Sequence, residues 1–158
     1  MKRLLVFSVL ALGAVGCGGG GGGGALAAQQ AAAPAPVYLN EDSASTAPYS
    51  DAVRVGSTLY LAGVLGLDKS GNLVPGGITP EAETAMQNLK HVLEHNGSSL
   101  DRVVNCEVML ADIKDRDAFN VVYKKYWPLL HFPARHAFGT QGLYLGARVE
   151  MACIAITR

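Results

Sequence analysis

The sequence predicts an α+β domain: one small sheet built in the order β-β-α-β-α-β-β, with two helices on one of its faces. Three patterns predict it. A hairpin-like pair of apolar runs opens at Ala52, two amphipathic stretches follow, and the run 148–156 alternates with both of its faces apolar. At 158 residues the chain has room for one ordinary domain.

Residues 52–55 and 58–65 read as strands joined at Gly56-Ser57, a hairpin signal. Turns follow at 68–72 and at Pro75-Gly76-Gly77. Thr79 then reads as a helix N-cap, with Pro80 at the first helical position and Glu81 and Glu83 favouring the positive end of the helix dipole. Ala82, Ala85, Met86, Leu89, Val92 and Leu93 fall on one helical stripe, and Asn96-Gly97 closes it. Residues 103–110 form the next strand. Asp115 is placed to cap a second helix whose apolar face is Phe119, Val122, Tyr123 and Tyr126, ending by Pro128. Strands at 134–138 and 148–156 complete the order. In the last one Glu150 shares a face with Ala152, Ile154 and Ile156, while Val149, Met151, Cys153 and Ala155 form the other. Two helices cover one face of so small a sheet. The second face needs a partner, and the simplest partner is another copy of the chain.

The first 46 residues have a different character. Lys2-Arg3, the apolar run 4–12 and the small residues 13–16 before Cys17 form a secretory signal with a lipobox-like end. The run is shorter than the roughly 20 residues a membrane-spanning helix needs. Seven glycines (18–24) and an Ala/Gln/Pro stretch follow, so residues 18–46 are expected to be a disordered tether. The expected division is therefore a signal peptide over 1–17, the tether over 18–46, and a folded domain over 47–158. Export is the expected address, with Cys17 lipidated as a membrane anchor facing the periplasm. Cleavage after Ala27, leaving a soluble periplasmic protein, is the alternative.

Charge narrows the function. Thirteen Lys+Arg balance thirteen Asp+Glu, which leaves no basic footprint for nucleic acid. No membrane contact is expected beyond an anchor on Cys17. Three cysteines make neither a disulfide framework nor a zinc site. Cys106 and Cys153 lie in apolar strands and read as small core residues, although an oxidising compartment could join them if the fold sets them side by side. His91 and His95 have i, i+4 spacing but lie on the polar side of a helix without a third ligand, so no metal is expected.

Several stretches, in order, resemble one family. Ala47-Pro48-Tyr49-Ser50, Asn88-Leu89-Lys90, Gly97-Ser98-Ser99-Leu100-Asp101, the strand ending in an acidic turn at Asp112, Pro133-Ala134-Arg135 and Val149-Glu150 together look like the RidA (YjgF) family of small imine deaminases. The resemblance spans residues 47–158. It implies a chorismate-mutase-like fold, a homotrimer with a barrel-like centre, ligand sites in the clefts between subunits, and no cofactor.

The resemblance also implies the site. Arg135 matches the family's substrate-binding arginine, whose planar guanidinium suits the carboxylate of a 2-imino acid. Glu150, fifteen residues on, matches its acidic partner, placed to hold water or move a proton. Tyr49 matches a tyrosine that lines the pocket, and Gly63 a glycine whose N–H approaches the ligand carboxylate. Four positions depart from the family pattern. Ala62 and Val64 replace polar neighbours of the glycine, His136 replaces a serine, and Ala137 replaces a cysteine, so the pocket is expected to lose polar groups and gain an imidazole.

The expected activity is hydrolytic deamination of small 2-imino or 2-enamino acids, such as 2-aminoacrylate, to 2-keto acids and ammonia. The alternative, suggested by the leader, is an exported, tethered module that binds small carboxylates or a protein without turnover.

Overall fold

The computed structural model describes residues 32–158. The expected signal segment, the glycine run and Cys17 lie outside them. Seven strands and two helices form the domain: β1 (Val37–Leu39), β2 (Ala52–Val55), β3 (Thr58–Leu61), β4 (Val64–Leu65), α1 (Ile78–His95), β5 (Val103–Leu110), α2 (Arg116–Tyr123), β6 (Ala134–Gly139) and β7 (Val149–Ile156). The sheet runs β1-β2-β3-β7-β5-β6, with β4 also paired to β7. Only β5 and β6 are parallel.

Periodicity placed the main elements correctly. Ala82, Ala85, Met86, Leu89 and Leu93 of α1 are buried, as are Phe119, Val122 and Tyr123 of α2. Both helices cover one face of the sheet, where Val149, Met151, Cys153 and Ala155 alternate inward along β7. Burial of this apolar area is the main stabilising term. Among the described residues nothing packs over the opposite face, on which Ala152, Ile154 and Ile156 stay half-buried and Tyr60 and Phe138 exposed. No helix of the described residues is long and apolar enough to cross a membrane.

Three boundaries differ from expectation. The tether does not extend to residue 46: Val37, Tyr38 and Leu39 pair with Arg54, Val53 and Ala52. Past β1, Asn40 Oδ1 accepts the Asp51 N–H at 3.0 Å, and Asp51 Oδ2 accepts the Glu41 N–H at 2.9 Å. Pairing with β1 satisfies the outer edge of β2, which would otherwise carry unpaired backbone groups. Secondly, the run 58–65 is broken at Ala62-Gly63. Tyr60 pairs with Ile154 but Val64 with Met151, so β7 advances by three residues where the other strand advances by four. Glycine in a strand marks such a bulge. Thirdly, α1 begins at Ile78 with Gly77 (φ 88°) before it, so Thr79 lies within the first turn and does not cap it. Asp115 does precede α2, but its carboxylate turns to Arg148 rather than to the helix N–H groups.

Cys106 and Cys153 are directly paired across β5 and β7, with Cα atoms 4.1 Å apart, and form a disulfide. Both are essentially buried beneath the helices. They are core residues, as expected, and a covalent staple as well.

Candidate active site

Arg135 is the second residue of β6, beside Cys106 of β5, and so points to the helix-covered face. There α2 presents Phe119, Asn120 and Tyr123, which share one helical face by their spacing. The guanidinium lies 4.6 Å from the Tyr123 ring centroid and 5.7 Å from that of Phe119, and its Nη2 donates to Asn120 Oδ1 at 2.7 Å. Two aromatic faces and one amide thus fix the plane of the fork. Burial pulls the Arg135 pKa down, Tyr123 opposes that, and Arg116 adds to it; a guanidinium remains charged at any physiological pH. Around it is a cavity of about 320 Å³ lined by Asn120, Tyr123, Lys124, Phe132 and Pro133. Burial also pushes the Tyr123 hydroxyl up to about 12. Among the described residues, neither that buried hydroxyl nor the buried Trp127 Nε1 has a hydrogen-bond partner.

Glu150 is placed elsewhere. It pairs with Met109 of β5 and Leu65 of β4, on the face of the sheet that the helices leave open. Its carboxylate occupies the space that a Cβ on residue 63 would fill, so the bulge at Gly63 is what admits it. Tyr49, Ala62, Gly63, Leu65, Tyr144 and Glu150 line a second cavity of about 560 Å³. The structure therefore brings Tyr49, Gly63 and Glu150 together and leaves Arg135 apart. By strand spacing and rise, Arg135 and Glu150 are roughly 14 Å apart in one chain, and they face opposite ways.

The departures from the family pattern also sort by face. Ala62 lines the Glu150 cavity, whereas Val64 is buried in the core. Ala137, two residues beyond Arg135, packs against the core. His136 does not add an imidazole to the Arg135 cavity, contrary to expectation. As the intervening strand residue it points to the open face, where Nε2 meets Glu107 Oε2 at 2.9 Å and the ring stacks on Phe138. His91 Nε2 pairs with Glu41 at 3.0 Å in an exposed contact. Among the described residues, no group of three or more His, Cys, Asp and Glu gathers as metal ligands.

Sequence reasoning missed three residues that shape these cavities. Glu81, read as a helix-dipole residue, is 3% exposed, and its Oε1 accepts the N–H groups of Arg148 and Val149 at 2.7 and 3.1 Å. It anchors β7 just before Glu150. Arg148 itself pairs with Asp115 through Nε at 2.9 Å and Nη2 at 2.6 Å, and not with Glu150. Asn120 orients Arg135; its place one residue after Phe119 on an amphipathic helix was the available signal. Tyr144 belongs to an irregular loop that carried no pattern.

Comparison with known proteins agrees with this fold. A family model described as "Endoribonuclease L-PSP" matches residues 40–157. A protein of Capra hircus named 2-iminobutanoate/2-iminopropanoate deaminase is 46% identical over 114 residues, covering 72% of this chain and 82% of that one. The Homo sapiens protein of the same name is 42% identical over 110 residues, covering 69% and 80%. The crystal structure of RidA from the Antarctic bacterium Psychrobacter sp. PAMC 21119 superposes with a TM-score of 0.67 at 34% identity, over 78% of this chain and 93% of that one. Yeast Mmf1 superposes with a TM-score of 0.72 at 32% identity, over 78% and 100%.

Proposed function

Because this chain belongs to the RidA/YjgF (endoribonuclease L-PSP) family, we propose that it hydrolyses 2-imino and 2-enamino acids to 2-keto acids and ammonia, in a site shared between copies of the chain. Relatives at 42–46% identity bear the name of that activity. The observation that carries the reading is Arg135, a half-buried guanidinium held flat by Tyr123 and Asn120 at the wall of a cavity. Such a fork accepts a carboxylate through paired charge-assisted hydrogen bonds.

The substrate carboxylate binds Arg135 of one copy, and the Gly63 backbone and Tyr49 belong to the neighbouring copy. Glu150 of that neighbour holds the water that attacks C2 of the imine. A tetrahedral carbinolamine forms as Glu150 takes one proton of the water and returns it to nitrogen; Glu150 then passes the carbinolamine O–H proton to the same nitrogen, the C=O bond forms as the C–N bond breaks, and ammonia leaves. The imine is already electrophilic, so positioning supplies much of the rate.

A homotrimer supplies this geometry. Its support is the open sheet face, with half-buried Ile154 and Ala152 and exposed Tyr60 and Phe138, together with half-sites on opposite faces of the sheet. Export and lipidation of Cys17 complete the reading. They rest on the leader sequence, and the Cys106–Cys153 disulfide fits an oxidising compartment. RNA cleavage fits less well, since the chain is electrically neutral.

The test generates 2-aminoacrylate in situ with a pyridoxal-phosphate dehydratase and follows pyruvate release with and without the protein. Wild type accelerates release. Arg135→Ala loses about 2–3 kcal/mol of transition-state binding, the scale of a charged hydrogen-bond pair. Binding of small carboxylates with no acceleration would leave a tethered binding module in place of the enzyme.

A further inference from the structure

The cavity over Gly63 has more apolar wall than the reaction requires. Its volume of about 560 Å³ lies well inside the range of sites that hold drug-sized ligands, about 300–1,000 Å³. Apart from Glu150, its side-chain polarity is confined to the hydroxyls of Tyr49 and Tyr144. Tyr49 and Tyr144 are largely exposed in the single chain, at 63% and 69%, so their rings are open to a ligand in the cavity. Each is held by its own backbone. Tyr49 lies two residues before Asp51, whose N–H donates to Asn40 Oδ1 just past β1. Tyr144 opens a single tight turn, Tyr144–Gly146, in which Leu145 adopts φ 57°. A leucine in the left-handed region costs about 1–2 kcal/mol and persists only where the surroundings impose it. The imine chemistry described above uses the main chain at Gly63, the Glu150 carboxylate and Arg135. It gives Tyr144 no task.

We propose that the substrates are 2-imino acids with a bulky apolar or aromatic side chain, and that Tyr144 determines this specificity by packing on that side chain, opposite Tyr49, while the C=N group lies at Glu150. The inference rests on the deaminase reading and sharpens it. Aromatic rings gain from ring–ring contact beyond the area they bury, and an exposed tyrosine pair gains most from a flat apolar ligand. Phe132, 41% exposed beside Arg135, adds a further aromatic wall from the copy that binds the carboxylate. A methyl side chain reaches none of these rings well.

The experiment presents the full-length protein with imines made in situ by D-amino-acid oxidase, oxygen and catalase from D-phenylalanine and from D-alanine. Semicarbazide traps whatever imine remains, so hydrolysis is read as lost semicarbazone. The expected result is that the phenylalanine-derived imine is hydrolysed about tenfold more efficiently than the alanine-derived one. Tyr144→Leu, which keeps apolar bulk without the ring, lowers that ratio about tenfold, and Tyr144→Phe restores it. Equal or better hydrolysis of the alanine-derived imine overturns the proposal while leaving the deaminase reading intact. So does a Tyr144→Leu variant that slows both substrates by the same factor. If neither imine is hydrolysed, the deaminase reading falls, and this inference with it.

Discussion

Arg135 and Glu150 project from opposite faces of the same sheet. Arg135 sits beside Cys106 under α2, and Glu150 beside Met109 on the face without helices. Neither side chain can reach a substrate held by the other within one chain. If both act on one molecule, they come from different copies.

Subunit complementation tests this relationship. Arg135→Ala and Glu150→Gln are each expected to be inactive alone. Unfolded together and refolded one to one, they should recover roughly a quarter of wild-type activity, because in a randomly mixed ring one interface in about four pairs the intact arginine with the intact glutamate. A mixture as inactive as its components would place both residues in one subunit's site.

Gly63→Ala should abolish most activity with a smaller effect on folding. The added methyl collides with the Glu150 carboxylate, and the carboxylate must turn away from its cavity. A displaced catalytic group costs about a hundredfold in rate. Turnover measured beside the far-ultraviolet circular dichroism of the variant separates the two effects; unchanged turnover would detach Glu150 from the chemistry.

Reduction of Cys106–Cys153 should destabilise the domain. The bridge spans a sequence separation of 47 residues, for which loop-closure entropy predicts about 4 kcal/mol. Denaturant midpoints with and without reductant measure it, and Cys106→Ala/Cys153→Ala should behave as the reduced protein does. A midpoint unmoved by reductant would mean that the thiols are not joined in solution.

Glu81→Ala should cost about 3 kcal/mol, since it strands two backbone N–H groups of Arg148 and Val149 at a buried position. Glu81→Gln keeps an acceptor oxygen and should lose about half of that. Equal losses in the two variants would mean that the carboxylate charge, and not an acceptor oxygen or packing alone, gives Glu81 its weight.

The regular elements were legible because their cause is local. The alternation of Val149, Met151, Cys153 and Ala155 and the stripe through Ala82, Met86, Leu89 and Leu93 are set by strand and helix periods. β1 was hidden because three residues beside a low-complexity stretch have no period to read, and only pairing with β2 makes them a strand. The break at Ala62-Gly63 looked like continuous strand, because a bulge is decided by the register of the partner, β7. Glu81 resembled any first-turn carboxylate. Its role depends on backbone sixty-seven residues away.

By itself the sequence determined the α+β class, the apolar faces of its helices and strands, and the residue types available for chemistry. Those follow from short-range geometry and from the side chains themselves. Tertiary structure decided the grouping: Tyr49 with Gly63 and Glu150 around one cavity, Arg135 with Asn120 and Tyr123 around another, and His136 on the face opposite Arg135. Strand order and register place a side chain on one face or the other, and one residue of slip reverses the outcome. No spacing along a single chain contains that information, because the sheet is assembled from segments about a hundred residues apart.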